Sequence, residues 1–184
     1  MAVAKIPEVI HDFNMYYTDS SKKLQKLVGV TGEVTLPTLE AMTQTISGPG
    51  ILGEYETAVP GHYGPMEIEI PFRCINSTYF AGVSPSSPMT LTLRGAMQTL
   101  DPATGKPTYS QVRILVKGRC KSLNLGQFKQ TESMNCSVTL ALTYFLLGTK
   151  VAGGTEVKRL ELDKVNGVFK LNDKDQLSAI NKLI

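Results

Sequence analysis

Residues 66–72 read MEIEIPF, with a large apolar side chain at every second position. Successive side chains of an extended chain point to opposite faces, so Glu67, Glu69 and Pro71 lie on the side away from the four apolar residues. The pattern predicts a strand with one face in a core and the other in solvent. Strands of this kind are typical of antiparallel sheets.

Two further alternating stretches flank DPATGKP at residues 101–107, whose Asp, Pro and Gly are typical of a turn. Residues 89–97 and 112–121 are therefore predicted to pair as a hairpin. Earlier strands are predicted at residues 12–17, 26–36 and 39–47.

A later strand is predicted near residues 132–147 from the same alternation. Its apolar face is made of Cys136, Val138, Leu140, Leu142, Tyr144 and Leu146. A final hairpin is predicted from LDKVNGVFKL at residues 162–171, because Asn166 and Gly167 suit the central positions of a type I′ turn. Counting outward from that turn places Asp163 opposite Lys170, which is a favourable pair of charges.

Helical signals are few. Residues 73–82 are a short internal candidate, and residues 172–184 are a C-terminal candidate with Asn172 as its N-cap. We therefore predict one mainly β domain over residues 1–184, an antiparallel β-sandwich or barrel-like fold with one short internal helix and a C-terminal helix. Unless it closes on itself, such a sheet leaves edges that a ring of subunits can pair.

Composition bounds the class of protein. The 184 residues are 42% hydrophobic and 19% charged, as in an ordinary globular domain, and the net charge of +3 does not by itself indicate nucleic-acid binding. No stretch approaches the ~18 apolar residues of a membrane span, so we expect a soluble protein made in the cytosol. Cys74, Cys120 and Cys136 lack metal-ligand spacing and are expected to be buried free thiols, two of them (Cys120 and Cys136) pointing into the core.

The sequence GPGILG at residues 48–53 matches the glycine pattern that binds the pyrophosphate of a dinucleotide. That pattern needs a helix directly after it, whereas Pro60 and Gly61 interrupt any helix here. Residues 45–65 are therefore predicted to be a flexible surface loop, and no cofactor is expected.

Candidate catalytic groups are sparse. His11 and His62 have no partner at metal-ligand spacing, so no metal site is expected. Glu67 and Glu69 lie on one face of a strand about 7 Å apart and could serve a glycosidase, but the chain has no tryptophan for a sugar platform. A solvated strand face is the favoured interpretation, and we do not expect an enzyme.

Four basic residues share one face of a predicted strand: Arg113, Lys117, Arg119 and Lys121. Three interpretations stay open for this basic row. They are a solvated face, a contact with an acidic partner surface and, third, a phosphate-binding surface.

The chain as a whole resembles the major tail tube proteins of contractile-tailed bacteriophages and phage-tail-like bacteriocins. The resemblance covers most of the chain from about residue 10 and depends on the order of its elements. Its residues are EVTLPTLE at 33–40, GPG at 48–50, the strand and short helix at 66–82, the hairpin around DPATGKP, TESMNCSVTLALTYFLL at 131–147 and LDKVNGVFK at 162–170. The chain departs from the family in longer stretches at residues 51–65 and 82–88.

The resemblance implies a β-sandwich subunit of a hexameric ring whose inner wall is a continuous β-barrel. Rings would stack helically into a hollow tube, with a long loop or hairpin of each subunit reaching the adjacent ring. Residues 45–65 fit that inter-ring loop. The residues expected to make the stacking contact are Gly48, Pro49, Gly50, Ile51, Leu52, Tyr55 and Val59.

The resemblance also implies partners: other copies of the chain, a sheath protein, and tape measure, baseplate and tail terminator proteins. DNA would pass non-specifically through the tube of a phage, and the protein would be found in a virion tail or tailocin particle assembled in the host cytoplasm. A lumen rich in cations would trap DNA, so we expect Glu67 and Glu69 to face the lumen and the basic row to face the sheath or a neighbouring subunit.

Three alternatives stay open. The chain could be the tube protein of a type VI secretion system or of another contractile injection system. It could instead be a monomeric β-sandwich that binds carbohydrate or protein, or, more remotely, a hydrolase that uses Glu67 and Glu69. Assembly state separates the binding module from the tube proteins. The hydrolase is distinguished by whether Glu67 and Glu69 lie in a cleft and whether their removal abolishes turnover.

Overall fold

The computed structural model describes residues 5–18, 23–75, 83–151 and 153–183. Eleven strands and a short helix lie within these residues. The elements are β1 (Ile6–Thr18), β2 (Leu24–Leu27), β3 (Ala41–Ser47), β4 (Glu54–Tyr63), β5 (Met66–Phe72), β6 (Met89–Asp101), β7 (Lys106–Asn124), β8 (Cys136–Val151), β9 (Glu156–Asp163), β10 (Val168–Leu171), β11 (Lys174–Asp175) and α1 (Ser178–Asn181).

Nine of the strands form one antiparallel sheet in the order β11-β10-β9-β8-β7-β6-β1-β2, and β5 also pairs with β8. Strand β8 is long enough for two partners on one edge, with β5 beside residues 136–142 and β9 beside residues 144–150. The predicted mainly β, antiparallel fold is confirmed, and so is the predicted hairpin of β6 and β7.

The part of the sheet made of β5, β8, β7, β6, β1 and β2 curls into a barrel. After β2, Val30 and Thr35 form isolated bridges to Phe72 and Glu69 of β5, which brings the chain back to the far edge of the curl. The strand predicted at residues 26–36 is therefore mostly irregular. Regular strand is limited to residues 24–27, because the chain then crosses from β2 to β5. Strands β9, β10 and β11 continue beyond the barrel as an open sheet.

The core lies inside the barrel and is lined by the alternating stripes. The four apolar residues of MEIEIPF are at most 2% exposed, and they share one core cluster with Leu91, Val116 and Leu140, each of them 0% exposed. Each side chain buried to this extent stabilises the fold by about 1.5–3 kcal/mol. The periodicity of residues 66–72 therefore predicted this part of the core correctly.

Strand β8 contains a bulge that the sequence did not indicate. Lys117 of β7 pairs with Tyr144, and the next residue, Gly118, pairs with Leu142. Thr143 is skipped, so β8 has one residue more than β7 at this point and its side chains change faces.

The prediction for one face of β8 is therefore right up to Leu142 and wrong beyond it. Phe145, 5% exposed, takes the core position, while Tyr144 and Leu146 lie on the opposite face. A bulge shifts the two-residue period by one, and a period read along a single strand cannot detect the shift.

The hairpin of β9 and β10 has a longer turn than predicted. Asp163 pairs with Val168, and Lys170 pairs with Glu161, so residues 164–167 form a four-residue loop. The carboxylate of Asp163 accepts the backbone N–H groups of Val165 and Asn166, both at 3.0 Å. This side-chain turn competes with the predicted type I′ turn, and of the turn residues only Gly167 has a positive φ, +62°.

The predicted C-terminal helix over residues 172–184 is wrong in extent. Asn172 and Asp173 have φ of +49° and +61°, which turns the chain back along β10 as β11, and only Ser178–Asn181 is helical. Residues 76–82 of the predicted internal helix lie outside the described residues. Cys136 is buried, as predicted. Cys120 packs against the core but is only half-buried, and Cys74 is exposed because it follows the end of β5.

Gly118 provides a test of the bulge. A Cβ at this position would lie 2.3 Å from the backbone oxygen of Ala141, so β7 and β8 would have to move apart. We expect Gly118→Ala to lower the free energy of unfolding by about 1–3 kcal/mol, measured by denaturant titration. Gly32→Ala is the matched control, since a Cβ there has nothing within 4 Å. Equal destabilisation by both changes would contradict this account of the bulge.

Candidate functional site: a projecting hairpin and a charged sheet face

Residues 41–63, which we call the arm, are a hairpin rather than the predicted flexible loop. Strands β3 and β4 pair from Ser47 and Glu54 at the tip to Ala41 and Tyr63 at the base. They form a two-stranded sheet of their own, which does not join the nine-stranded sheet. The glycines of the predicted loop are concentrated at the tip, and the segment EYETAV after them is extended and pairs with β3.

The tip of the arm, residues 48–53, presents apolar side chains to solvent. The backbone N–H of Ile51 donates to the carbonyl oxygen of Gly48 at 3.1 Å, which closes the turn. Leu52 is fully exposed, and Tyr55 just after the tip is 52% exposed, while Val59 is half-buried. A strand follows the glycines instead of a helix, so the geometry for binding a pyrophosphate is absent here.

The base of the arm is anchored by polar contacts. The ammonium of Lys164 donates to the carbonyl oxygens of Tyr63, at 3.2 Å, and of Gly64. The backbone N–H of Gly64 donates to the carbonyl oxygen of Glu40 at 2.9 Å. Burial in this contact lowers the pKa of Lys164 below its ordinary value.

Apolar packing completes the anchor. The rings of Tyr63 and Phe169 meet edge to face, 5.3 Å apart. Leu177, just before α1, packs on the backbone of Gly61, where a Cβ would come within 2.7 Å of its side chain. The arm is thus held at its base and free at its tip. An isolated two-stranded hairpin is marginally stable in water, so the arm is suited to order against a partner.

The basic row shares one face of β7, as predicted, and we call this side of the large sheet the polar face. Arg113 donates to Glu156 at 2.7 Å, and the ammonium of Lys117 lies 5.0 Å from the centre of the Tyr144 ring. Arg119 makes no hydrogen bond or ion pair with any described residue.

Glu67 and Lys121 form an ion pair. The sequence predicts that Glu67 and Glu69 face the lumen while the basic row lies on the other side of the tube wall. This prediction is wrong for Lys121, because its contact with Glu67 places both residues on one side. Glu67 and Glu69 both lie on the exposed face of β5.

A buried polar cluster on the polar face was not predicted. Glu161 is 9% exposed and accepts the hydroxyl of Tyr144 at 2.8 Å and the ammonium of Lys158 at 3.0 Å. Burial alone would raise the pKa of Glu161, but these hydrogen bonds and the charges of Lys158 and Lys170 lower it. Burial and the bond to Glu161 raise the pKa of Tyr144. The signal was hidden because the bulge at Thr143 moves Tyr144 to this face.

Among the described residues, no cluster of His, Cys, Asp and Glu side chains could hold a metal ion. No helix in the described ranges is long and apolar enough to cross a membrane.

An antiparallel sheet with open edges and a projecting arm is typical of an assembly protein. A family model described as phage tail tube protein FII matches residues 7–184. The chain belongs to that family. It is also similar to the tail tube protein of Escherichia phage P2, with 25% identity over 161 residues that cover 81% of this chain and 83% of that protein.

The predicted resemblance to tube proteins of contractile tails is confirmed. As a phage tail tube protein, the chain has a structural role and is a component of a phage tail. A tube is built from many copies of its subunit, so this tail tube protein assembles with itself and contacts other tail components.

The cluster at Glu161 predicts acid sensitivity of the tail tube protein. The folded pKa of Glu161 lies below its ordinary value of 4.5, so the ionised carboxylate stabilises the fold above that value. This contribution is lost as the pH falls through the folded pKa. We expect Tm to fall as the pH drops below about 4.5, and to fall less steeply in Glu161→Gln.

Thermal unfolding at a series of pH values measures this effect. Burial would raise the pKa of Asp163, but hydrogen bonds from Asn166 and Val165 lower it below its ordinary value. Asp163 therefore also contributes, and part of the fall in Tm remains in Glu161→Gln. Glu132→Gln, at an exposed ion pair with Lys129, is the control and should keep the wild-type slope. A wild-type slope in Glu161→Gln would contradict the assignment.

Proposed function

We propose that the chain is the subunit of the inner tube of a contractile tail, in which six copies form a ring and the rings stack helically. The arm carries this proposal, because it is anchored at its base, exposes apolar side chains at its tip and packs its tip on no part of its own described chain. The tube serves as a conduit for DNA in a phage or as the puncturing element of a tailocin. Its partners are the sheath, tape measure, baseplate and tail terminator proteins, and it is made in the host cytoplasm.

Ring closure is supported by the two open edges of the large sheet. Residues 6–14 of β1 pair with β6 on one side, while β2 covers only residues 15–18 on the other. At the opposite end, β10 covers only residues 160–163 of β9, so among the described residues no strand pairs with residues 156–158 on the side away from β8. A head-to-tail contact between unlike edges closes into a ring when the rotation between neighbouring subunits divides a full turn into a whole number of steps.

The part of the polar face around Glu67 and Lys121 suits a wall along which DNA slides. We keep Glu67 and Glu69 as lumen candidates, with the consequence that Lys121 and Arg119 face the same way. The ion pairs of Lys121 with Glu67 and of Arg113 with Glu156 neutralise two cations of the basic row, which weakens the attraction of this part of the wall for DNA. Arg119, which is unpaired among the described residues, is then the member of the basic row best suited to contact a neighbouring subunit.

We propose no catalytic role. The family is one of structural tube proteins, and the paired acids Glu67 and Glu69 lie on an open strand face. A conduit acts through the strength of its interfaces and the character of its wall.

The double change Ile51→Ser and Leu52→Ser tests the role of the arm. It removes the apolar tip but leaves the paired strands, so we expect rings to form and tubes to be absent or short in negative-stain electron microscopy. Val165→Ser is the control, because it removes a 74% exposed side chain from the 164–167 turn and should leave tubes intact.

Two outcomes would contradict the proposal. Tubes of normal length from the double variant would show that the tip is not needed for stacking. A wild-type chain that stays monomeric at every concentration, even with a tube end supplied for growth, would favour a monomeric binding module.

A further inference from the structure

A groove of about 550 Å³ crosses the polar face where β1, β6, β7 and β8 lie side by side. Its charged side chains are Arg94, Lys150 and Asp12, which gives the groove a net charge of one positive unit. The guanidinium of Arg94 lies over the ring of Tyr16, 5.2 Å from its centre, and this contact holds it at the groove wall.

The two cations of the groove have no carboxylate partner among the described residues, unlike Arg113, Lys121 and Lys158 on the same face. Lys150 pairs in register with Glu156, the residue that should neutralise it. The carboxylate of Glu156 instead crosses over Gly148 to reach Arg113.

Gly148 makes this crossing possible. A Cβ at this position would lie 2.2 Å from Oε1 of Glu156, so any larger residue would displace the carboxylate from its position. The nearest carboxylate therefore pairs with Arg113, and Lys150 has no carboxylate partner among the described residues. Asp12 is the remaining acid of the groove, and its Oδ1 accepts the backbone N–H of Phe13 at 2.7 Å.

The arm has the opposite charge. Between Ala41 and Tyr63 the sequence contains two acids, Glu54 and Glu56, and no Lys or Arg. Both acids are exposed, lie on the same side of β4 just after the tip, and make no hydrogen bond or ion pair within the described ranges.

We propose that the groove receives the arm of a second copy of the chain, with Glu54 and Glu56 paired to Arg94 and Lys150. The contact joins unlike surfaces, so it propagates from copy to copy as stacking requires. This inference rests on the proposed tube function and names the surface on which the arm docks.

Charge reversal with mixing tests the pairing. One variant, Arg94→Glu with Lys150→Glu, has an acidic arm and an acidic groove; the other, Glu54→Lys with Glu56→Lys, has a basic arm and a basic groove. Like charges at a close contact oppose association, so we expect each variant alone to need at least about tenfold more protein than wild type to form tubes. An equimolar mixture should recover most of the loss, because every arm then meets a groove of opposite charge.

Pelleting of tubes across a concentration series measures the effect, and Tm of each variant checks its fold. Lys106→Glu is the control, because it reverses an exposed cation outside the groove and should form tubes at the wild-type concentration. If a variant does not fold, Arg94→Gln with Lys150→Gln replaces the groove change, and Glu54→Gln with Glu56→Gln replaces the arm change. Each should again need more protein than wild type.

Three results would overturn the inference. Tubes from both charge-reversal variants at the wild-type concentration would exclude the pairing while leaving the tube function intact. Normal tubes from the groove variant, together with weaker binding of a DNA oligonucleotide at low salt, would assign the groove to phosphates instead. If wild type forms neither rings nor tubes, the tube function and this inference both fail.

Discussion

The bulge at Thr143 determines what the open half of the large sheet presents to its surroundings. Below it, β8 buries its alternating residues against β5 and β7 inside the barrel. Above it, the side chains change faces, so Phe145 enters the core while Tyr144 joins the polar face and orders Glu161. One extra residue thus divides a single long strand into a part that builds the core and a part that builds a charged surface.

The arm is anchored on the hairpin that follows β8. Its base is held by Lys164 and Phe169, which lie on the turn and second strand of the hairpin that follows β8, and by Leu177 near the C-terminus. The tip has no such support and carries Leu52 fully exposed. Rigidity at the base reduces the entropy lost when the tip docks, so an arm built in this way favours repeated, uniform contacts between copies.

The sequence predicted those parts of the fold in which one strand can be interpreted by itself. The period of residues 66–72 and of β6 and β7 is visible because one face is buried along the whole stretch. The strand β4 was missed because Pro60 and Gly61 are poor strand residues in a large sheet, yet both are tolerated in a two-stranded arm whose outer edge has no partner strand among the described residues. The turn at residues 164–167 was misjudged because the carboxylate of Asp163 competes for the same backbone N–H groups.

Pairs of residues were harder to predict than strands. The ion pair of Glu67 with Lys121 depends on β5 and β7 lying on either side of β8, which no local pattern shows. The partnerless cations Arg94 and Lys150 emerge only when Glu156 is seen to cross Gly148. The family, by contrast, was predicted from the order of elements, because that order survives errors of register.

The most direct test of the central claim is the structure of the assembled protein by electron cryo-microscopy. We predict a hollow tube of stacked six-membered rings in which each arm is ordered against a subunit of the adjacent ring. Assemblies without six-fold rings, or tubes in which the arm lies against its own subunit, would contradict it.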